Sequence, residues 1–331
     1  WAITSRQHHR LVAAMEIAKS LDPIADAADW DTDPTLIGVA NGVVDLRLGT
    51  LVPADQNQRI TRHLDLPFDP AAACPRWERF VLEVCDGREG LAEYIRLAAG
   101  YSLTGVMREQ CLFVLHGRGS TGKSTLLEHL ASVIGPYAQV ASFEAFTDPP
   151  GHLESLAVLA GARLVTCAET RAGTRLNEQR LKALSHGNDR MSAAFKYGHE
   201  FSFTPCAKLW LALNHKPRVQ DDSSGFWRSV RLLPFNRVFD PEDDPNLGAT
   251  LLAERAGTLA WLVRAARDWY ATGLPRVPEV LDATQGWERE ANPLGDWLEA
   301  RCAMVIARGE DDGKLDACDP RRGDGVLGPE S

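Results

Sequence analysis

One stretch limits what this chain can fold into more than any other. Residues 111–127 read CLFVLHGRGSTGKSTLL. A short apolar run from Cys111 to His116 stops at Gly117. The pattern G-x-x-x-x-G-K-S then occupies Gly117 to Ser124, and Leu126, Leu127, Leu130, Val133 and Ile134 recur behind it at helical spacing. A strand, a glycine-rich loop and a helix in that order form the context in which the motif acts as a phosphate cradle. Gly117, Gly119 and Gly122 are expected to let the backbone turn its N–H groups inward toward an anion, and the helix N-terminus adds its dipole. Lys123 is placed to reach the β- and γ-phosphates of a nucleoside triphosphate, and the Ser124 hydroxyl to ligate Mg²⁺. Ser120, Thr121 and Thr125 complete the candidate binding loop.

The pattern on either side predicts an α/β protein. Residues 4–20 read as an amphipathic helix and 22–34 as an acidic loop. The run IGVANGVVDLRLGTLVP reads as a β-hairpin turning at Asn41-Gly42, with a second turn at Leu48-Gly49. Two helices precede the loop, one carrying Trp77, Phe80, Val81 and Val84 and one around 89–100. Beyond the first nucleotide-loop helix, strands are expected at 137–142, 162–168, 191–195, 200–204, 208–213 and 229–235, with a helix at 177–185. Strands alternating with helices after such a loop predict a parallel sheet covered on both faces. Helices are expected at 247–271 and 279–304. The Gly/Asp/Pro-rich residues 307–331 lack a core pattern and read as a disordered tail. The expected divisions are 1–34, a small mostly helical module at 35–105, a nucleotide domain at 106–238, a helical region at 239–306 and the tail.

Composition narrows the class. The chain has 331 residues, 44% of them hydrophobic, enough for an ample core. No apolar run approaches the roughly 20 residues of a membrane span, and the N-terminus shows no signal-peptide pattern. The seven cysteines are scattered without a C-x-x-C pair, which fits structural thiols in a reduced, cytoplasmic protein. Net charge is −9, which argues against a protein coated in nucleic acid. Residues 175–237, however, hold 11 Lys/Arg against 5 Asp/Glu, leaving −15 on the rest. That zone fits a restricted polyanion site, or a set of surface and nucleotide-site charges.

Hydrolysis needs more than a cradle: a group to activate water, a sensor for the γ-phosphate, and positive charge in the transition state. Each has a candidate at the end of an expected strand. Glu169 ends ARLVTCA and can polarise water; with Ser124 it is the candidate Mg²⁺ neighbour. Asn214 ends KLWLAL and can bond the γ-phosphate. Arg228 and Arg231, in GFWRSVRLLPF, can act as an arginine finger on a neighbouring subunit. The hairpin tip places Lys196, Tyr197 and His199 together. Lys pairs with phosphate and Tyr stacks on bases, although the same tip also reads as an ordinary exposed turn.

These residues, in this order, resemble the superfamily 3 helicases, in particular the ATPase half of phage and plasmid primase-helicases related to the poxvirus primase-helicases. The resemblance runs from about Gly38 to Val305 through GVVDLRLGTLVP, FDPAAACPRWERFV, AAGYSLTG, HGRGSTGKST, RLVTCAET, LNEQRLKALS, FSFTP, KLWLALNHKP, GFWRSVRLLPF and LPRVPEVLDAT. It implies an AAA+ module flanked by helical regions, ATP and Mg²⁺ as cofactors, and a hexameric ring on single-stranded or forked DNA. It implies Lys123 and Ser124 on phosphate and metal, Glu169 in catalysis, Asn214 as sensor, Arg228 as the finger in trans, and the 196–199 tip in the ring's pore.

The chain departs from that pattern in places. Cys167-Ala168 precede a single acidic residue where many relatives carry two. Ala194 stands where a basic residue is frequent, and Ser229 replaces the second Arg of a frequent Trp-Arg-Arg. No primase carboxylates precede the module and no winged-helix region follows it. The chain therefore reads as a fragment or a decayed phage-remnant gene, with a primase domain supplied upstream or in trans. The expected function is an ATP-dependent, ring-forming DNA helicase core in phage or plasmid replication. The alternatives are a nucleotide-gated DNA-binding or assembly protein without unwinding, and a small-molecule P-loop kinase.

Overall fold

The computed structural model describes residues 8–19, 30–149, 154–169, 173–196, 198–220, 224–240, 242 and 244–292. Tyr197, the expected tail and the distal part of the expected 279–304 helix lie outside them.

Five strands form one parallel sheet: β4 (Leu112–His116), β5 (Ala138–Val140), β6 (Leu164–Glu169), β9 (Lys208–Leu213) and β10 (Val230–Pro234). Their spatial order is β10-β4-β9-β6-β5, so the strand that feeds the glycine-rich loop is inside the sheet. Alternate side chains enter two separate cores, as the two-residue period of a strand requires. Phe113, Leu115, Trp210, Ala212, Leu164, Leu233 and Phe235 face one core. Leu112, Val114, Leu209, Leu211, Val165, Cys167 and Leu232 face the other. This is why these strands read as unbroken apolar runs: both faces are covered.

The first core is closed by α2 (Pro75–Val84), α3 (Glu89–Leu103), α4 (Lys123–Ile134) and α9 (Arg255–Thr272). The second is closed by α6 (Glu178–His186), α7 (Ser224–Trp227) and Trp287 from α10 (Pro278–Ala291). The short α5 (Glu154–Ala157) packs beside the antiparallel hairpin of β7 (Met191–Ala194) and β8 (Glu200–Phe203). Trp210 is wholly buried, stacks on Phe113 at 4.6 Å and donates its indole N–H to Ser102 Oγ at 2.9 Å. Truncating such a side chain to Ala costs about 3–5 kcal/mol.

Residues 35–105 contain more β structure than the sequence suggests. β1 (Leu36–Val39), β2 (Gly42–Asp45) and β3 (Thr50–Val52) make a three-stranded antiparallel sheet. Both expected turns are present, and the second brings in a third strand. The module is joined to the large sheet by two buried basic side chains. Arg163 donates to the Leu103 and Leu36 carbonyls, and Lys208 to those of Thr104 and Cys206. The C-terminus of α3 thus points at the start of β6 and β9, where its dipole and free carbonyls favour positive charge. The rings of Tyr137 and Tyr101 lie under the Arg163 guanidinium and the Lys208 Nζ at 4.7 and 4.6 Å.

The expected 247–271 helix is two helices, α8 (Leu247–Ala253) and α9, broken at Glu254. The Glu254 carboxylate accepts from the backbone N–H groups of Arg76 and Trp77, at 3.1 and 2.9 Å. It supplies the cap that α2 lacks from its own N-cap residue, Cys74. At the N-terminus, α1 (His8–Lys19) forms where a helix was expected, with Leu11, Met15 and Ile17 half or more exposed.

Candidate nucleotide site

The parallel strands end flush. Pro234 is in register with His116, His116 with Leu213, and Leu213 with Glu169. One edge therefore collects the glycine-rich loop after β4, Asn214 after β9 and Glu169 at the end of β6. Neighbouring strands lie about 4.8 Å apart, so the Glu169 backbone is roughly 10 Å from that of His116.

The loop is shaped by close approach at two of its three glycines. A Cβ on Gly117 would sit 2.0 Å from the Phe235 carbonyl oxygen, so nothing larger than glycine fits between β4 and β10 there. Gly122 has φ +82° and Ser120 φ +59°, left-handed turns that direct successive N–H groups to one side. Gly119 differs from the expectation. Its φ is outside the left-handed region, it is exposed, and a Cβ added to it would meet nothing within 4 Å. The bend expected of Gly119 is made by its neighbour Ser120, so no backbone requirement reserves position 119 for glycine. Gly122 is the N-cap of α4 and offers no side-chain cap, so the first-turn N–H groups are left for an outside acceptor. The 12-residue α4 adds its dipole.

Lys123 is 6% exposed, and burial lowers its pKa. Its Nζ donates to the carbonyls of Gly117 and Arg118, both at 2.7 Å, and to Thr121 Oγ1 at 3.0 Å. These neutral acceptors hold the ammonium at the loop's centre, where phosphate oxygens would be stronger acceptors. Ser124 is exposed on the first turn. Among the described residues no three His, Cys, Asp or Glu side chains cluster to hold a metal. A cation here would rest on Ser124, phosphate oxygens and water. His116, at the strand end, has its pKa lowered by burial, then by Lys216 and Lys123.

A feature the sequence did not reveal lies beside the loop. A cleft of about 390 Å³ is lined by Phe80, Gly122, Thr125, Arg237, Phe239 and Leu247, among others. The Phe239 N–H donates to the Ser120 carbonyl at 2.8 Å, tying this wall to the cradle. Arg76, on α2, ties that helix to the same segment through ion pairs to Glu83 and Asp244, both at 3.1 Å. The cleft's size and mixed lining fall in the range of small-ligand sites. Three distant segments build it, so no local pattern announces it.

The two arginines are elsewhere. Arg228 precedes β10, and Arg231 lies near its start. Four strand steps separate Val230 from Pro234, so the loop edge lies about 13 Å further along. Arg228 is exposed. Arg231 is half-buried and donates to the carbonyls of Arg228 and Val230. Both line a separate cleft of about 570 Å³ between β10 and α10. Lys196 and His199 are exposed at the hairpin tip. The basic zone is less available than its count suggests: Lys208 is buried, Lys216 pairs with Glu290, Arg175 pairs with Asp148, and Arg180 holds the Ala145 carbonyl.

Two family descriptions match the chain: "D5 N terminal like" over residues 1–86, and a family of unknown function (DUF5906) over residues 115–231, from the end of β4 into β10. Among curated proteins it is similar to the putative helicase L207/L206 of Acanthamoeba polyphaga mimivirus, 27% identical over 216 residues. The match covers 63% of this chain and 22% of that protein. It is 25% identical over 251 residues to the putative helicase 184R of Invertebrate iridescent virus 6, covering 72% and 26%. It is 24% identical over 230 residues to the putative primase C962R of African swine fever virus, covering 65% and 23%. These matches make the chain similar to the D5-like primase-helicases. The chain spans about a quarter of the length of these curated relatives. Two structures of the NrS-1 C-terminal region share the fold, with TM-scores of 0.53 and 0.52 at 13% identity. They match 71% of this chain and 57% and 59% of theirs. The chain thus has the α/β architecture of a parallel sheet covered by helices. Among its described residues no helix is long and apolar enough to cross a membrane.

Proposed function

We propose that this chain is the nucleotide-hydrolysing core of a DNA replication helicase, acting as a ring of identical subunits in the cytoplasm of a bacterial or phage-infected cell. The observation that carries this reading is the strand register. It gathers Lys123, Glu169 and Asn214 at one edge of the sheet and leaves Arg228 at the other. Within one subunit, Arg228 is too far from its own cradle to meet the nucleotide. A neighbour stacked against β10 would receive it, so the site is complete only between subunits.

In this reading the triphosphate of ATP lies on the loop amides and Lys123, and the nucleoside enters the cleft beside Phe80 and Phe239. Ser124 would hold Mg²⁺, which would supply charge neutralisation for the phosphates. Glu169 orients and deprotonates the attacking water, and Asn214 bonds the γ-phosphate or that water. Arg228 of the next subunit offsets the charge that develops in transfer. Lys196, with Tyr197 and His199, carries the hairpin's contact to single-stranded or forked DNA, and a primase domain acts upstream or in trans. The viral helicase and primase names among the relatives support this direction.

The test is steady-state ATP hydrolysis with and without single-stranded DNA, alongside strand displacement on a forked duplex. Wild type should show DNA-stimulated turnover and ATP-dependent opening. Lys123→Ala should abolish both. Glu169→Gln should keep nucleotide binding while slowing turnover by about 10²-fold or more. Turnover indifferent to DNA would refute the motor. DNA-stimulated turnover without strand displacement would reduce the chain to a nucleotide-gated DNA-binding protein.

A further inference from the structure

The β7–β8 hairpin carries an aromatic row that ends in the open. Along β8, Phe201 and Phe203 are half-buried against the second core while Glu200 and Ser202 face outward. On β7, Met191 and Ala193 share the core-facing side. The row continues past the strand end to Phe195, which is 60% exposed. Its ring is stacked on Phe201, with centroids 5.2 Å apart and planes 19° from parallel. Phe201 in turn meets Phe203 at 6.2 Å. The turn is closed by the Gly198 N–H, which donates to the Phe195 carbonyl at 2.7 Å. Lys196 is adjacent in the chain, and His199 stands on the same tip.

A single exposed aromatic is ordinary. This one combines three features that an ordinary surface residue does not need. One face is supported by a second ring, its backbone is fixed by a turn, and its neighbour is a cation. A supported ring loses little freedom when a second planar group settles on its other face. We propose that Phe195 is a stacking platform for an unpaired base of single-stranded DNA, with Lys196 meeting the adjoining phosphate. The proposal rests on the nucleic-acid reading of the hairpin and adds to it a base contact, which is distinct in chemistry from the charge contact.

Binding of the full chain to fluorescein-labelled oligodeoxythymidylate and to an abasic strand of equal length separates the two. The measurements are made with a non-hydrolysable ATP analogue over a salt series. Phe195→Ala should weaken binding to the base-bearing strand by about 5- to 150-fold, the range of one stacked base. It should leave abasic binding and the salt slope unchanged. Phe195→Trp should retain affinity, and Phe195→Leu should lose it because it keeps apolar bulk without a π face. Lys196→Ala should weaken both strands alike and reduce the salt slope by about one. Equal losses on both strands for Phe195→Ala, full affinity for Phe195→Leu, or no loss at all would overturn the platform while leaving the DNA reading in place. If wild type binds neither strand, the DNA reading itself falls, and the platform with it.

Discussion

Gly100 sits where α3 crosses α9, and replacing it with Ala sets two effects against each other. Ala is the better helix former by about 1 kcal/mol. The added Cβ, however, would lie 2.4 Å from Ala265 C and Ala266 N and 2.6 Å from Ala265 Cβ. Carbon contacts are comfortable at about 3.5–4.0 Å, so the helices must separate by about 1 Å. The atoms struck are mostly backbone and cannot rotate away. Separation would also loosen the packing of Tyr101 on Trp269, whose rings are 4.5 Å apart. Overpacking costs of about 1–3 kcal/mol are usual where side chains can adjust. With backbone on the far side the upper end applies, so the net loss should be about 2 kcal/mol. Gly286, inside α10, is the control, because nothing lies within 4 Å of its added Cβ. Gly286→Ala should gain up to about 1 kcal/mol. Urea unfolding followed by tryptophan fluorescence measures both. A Gly100→Ala protein at least as stable as wild type would refute the account of this helix crossing.

Other tests address charge, the cleft and the shared site. Burial lowers the Lys208 pKa from 10.5 to about 7. Between those values the unfolded chain holds the proton that the folded chain has lost, so stability should rise with pH by up to about 1.4 kcal/mol per unit. That slope should vanish below pH 7, and Lys208→Met should remove it. Parallel urea midpoints for the two proteins from pH 7 to 9 would show that Lys208 stays charged. Phe239→Ala should raise KM for ATP by about 5- to 10-fold with kcat less affected, because it trims a ring beside the cradle; an unchanged KM would remove the cleft from the site. Mixing Lys123→Ala with Arg228→Ala should restore part of the lost turnover, since some interfaces then pair an intact cradle with an intact arginine. No recovery over a range of mixing ratios would show that Arg228 does not act between subunits.

Much of the sheet was legible because both of its faces are buried. Runs such as LWLAL and LFVL are apolar throughout, and β9 matches its expected bounds residue for residue. The loop was legible because Gly117 and Gly122 stand at fixed offsets for backbone reasons, with Lys123 at the helix start; Gly119 carries no such requirement. The hairpin strands and the helix expected at 177–185 were also readable, and in the structure the Asn177 side chain caps that helix by accepting from the Arg180 N–H. Glu254 was not readable. Nothing local ends a helix there, and the break serves α2, far earlier in the chain. The basic zone misled in part for the same reason. A count of charges does not record that Lys208 points at the end of α3 or that Lys216 is held by Glu290.

By itself, the sequence determined the shape of the glycine-rich loop and the class of fold, since both depend on short-range rules of backbone freedom and side-chain period. Its ordered motifs carried the family resemblance. Tertiary structure alone decided which chemistry shares a place. Register brings Glu169 and Asn214 to the loop's edge, because parallel strands of matched length end together. The opposite end of β10 carries Arg228 away from it. The cleft of Phe80, Phe239 and Leu247 exists because three segments far apart in the chain pack against one another, and that depends on the shape of the whole core.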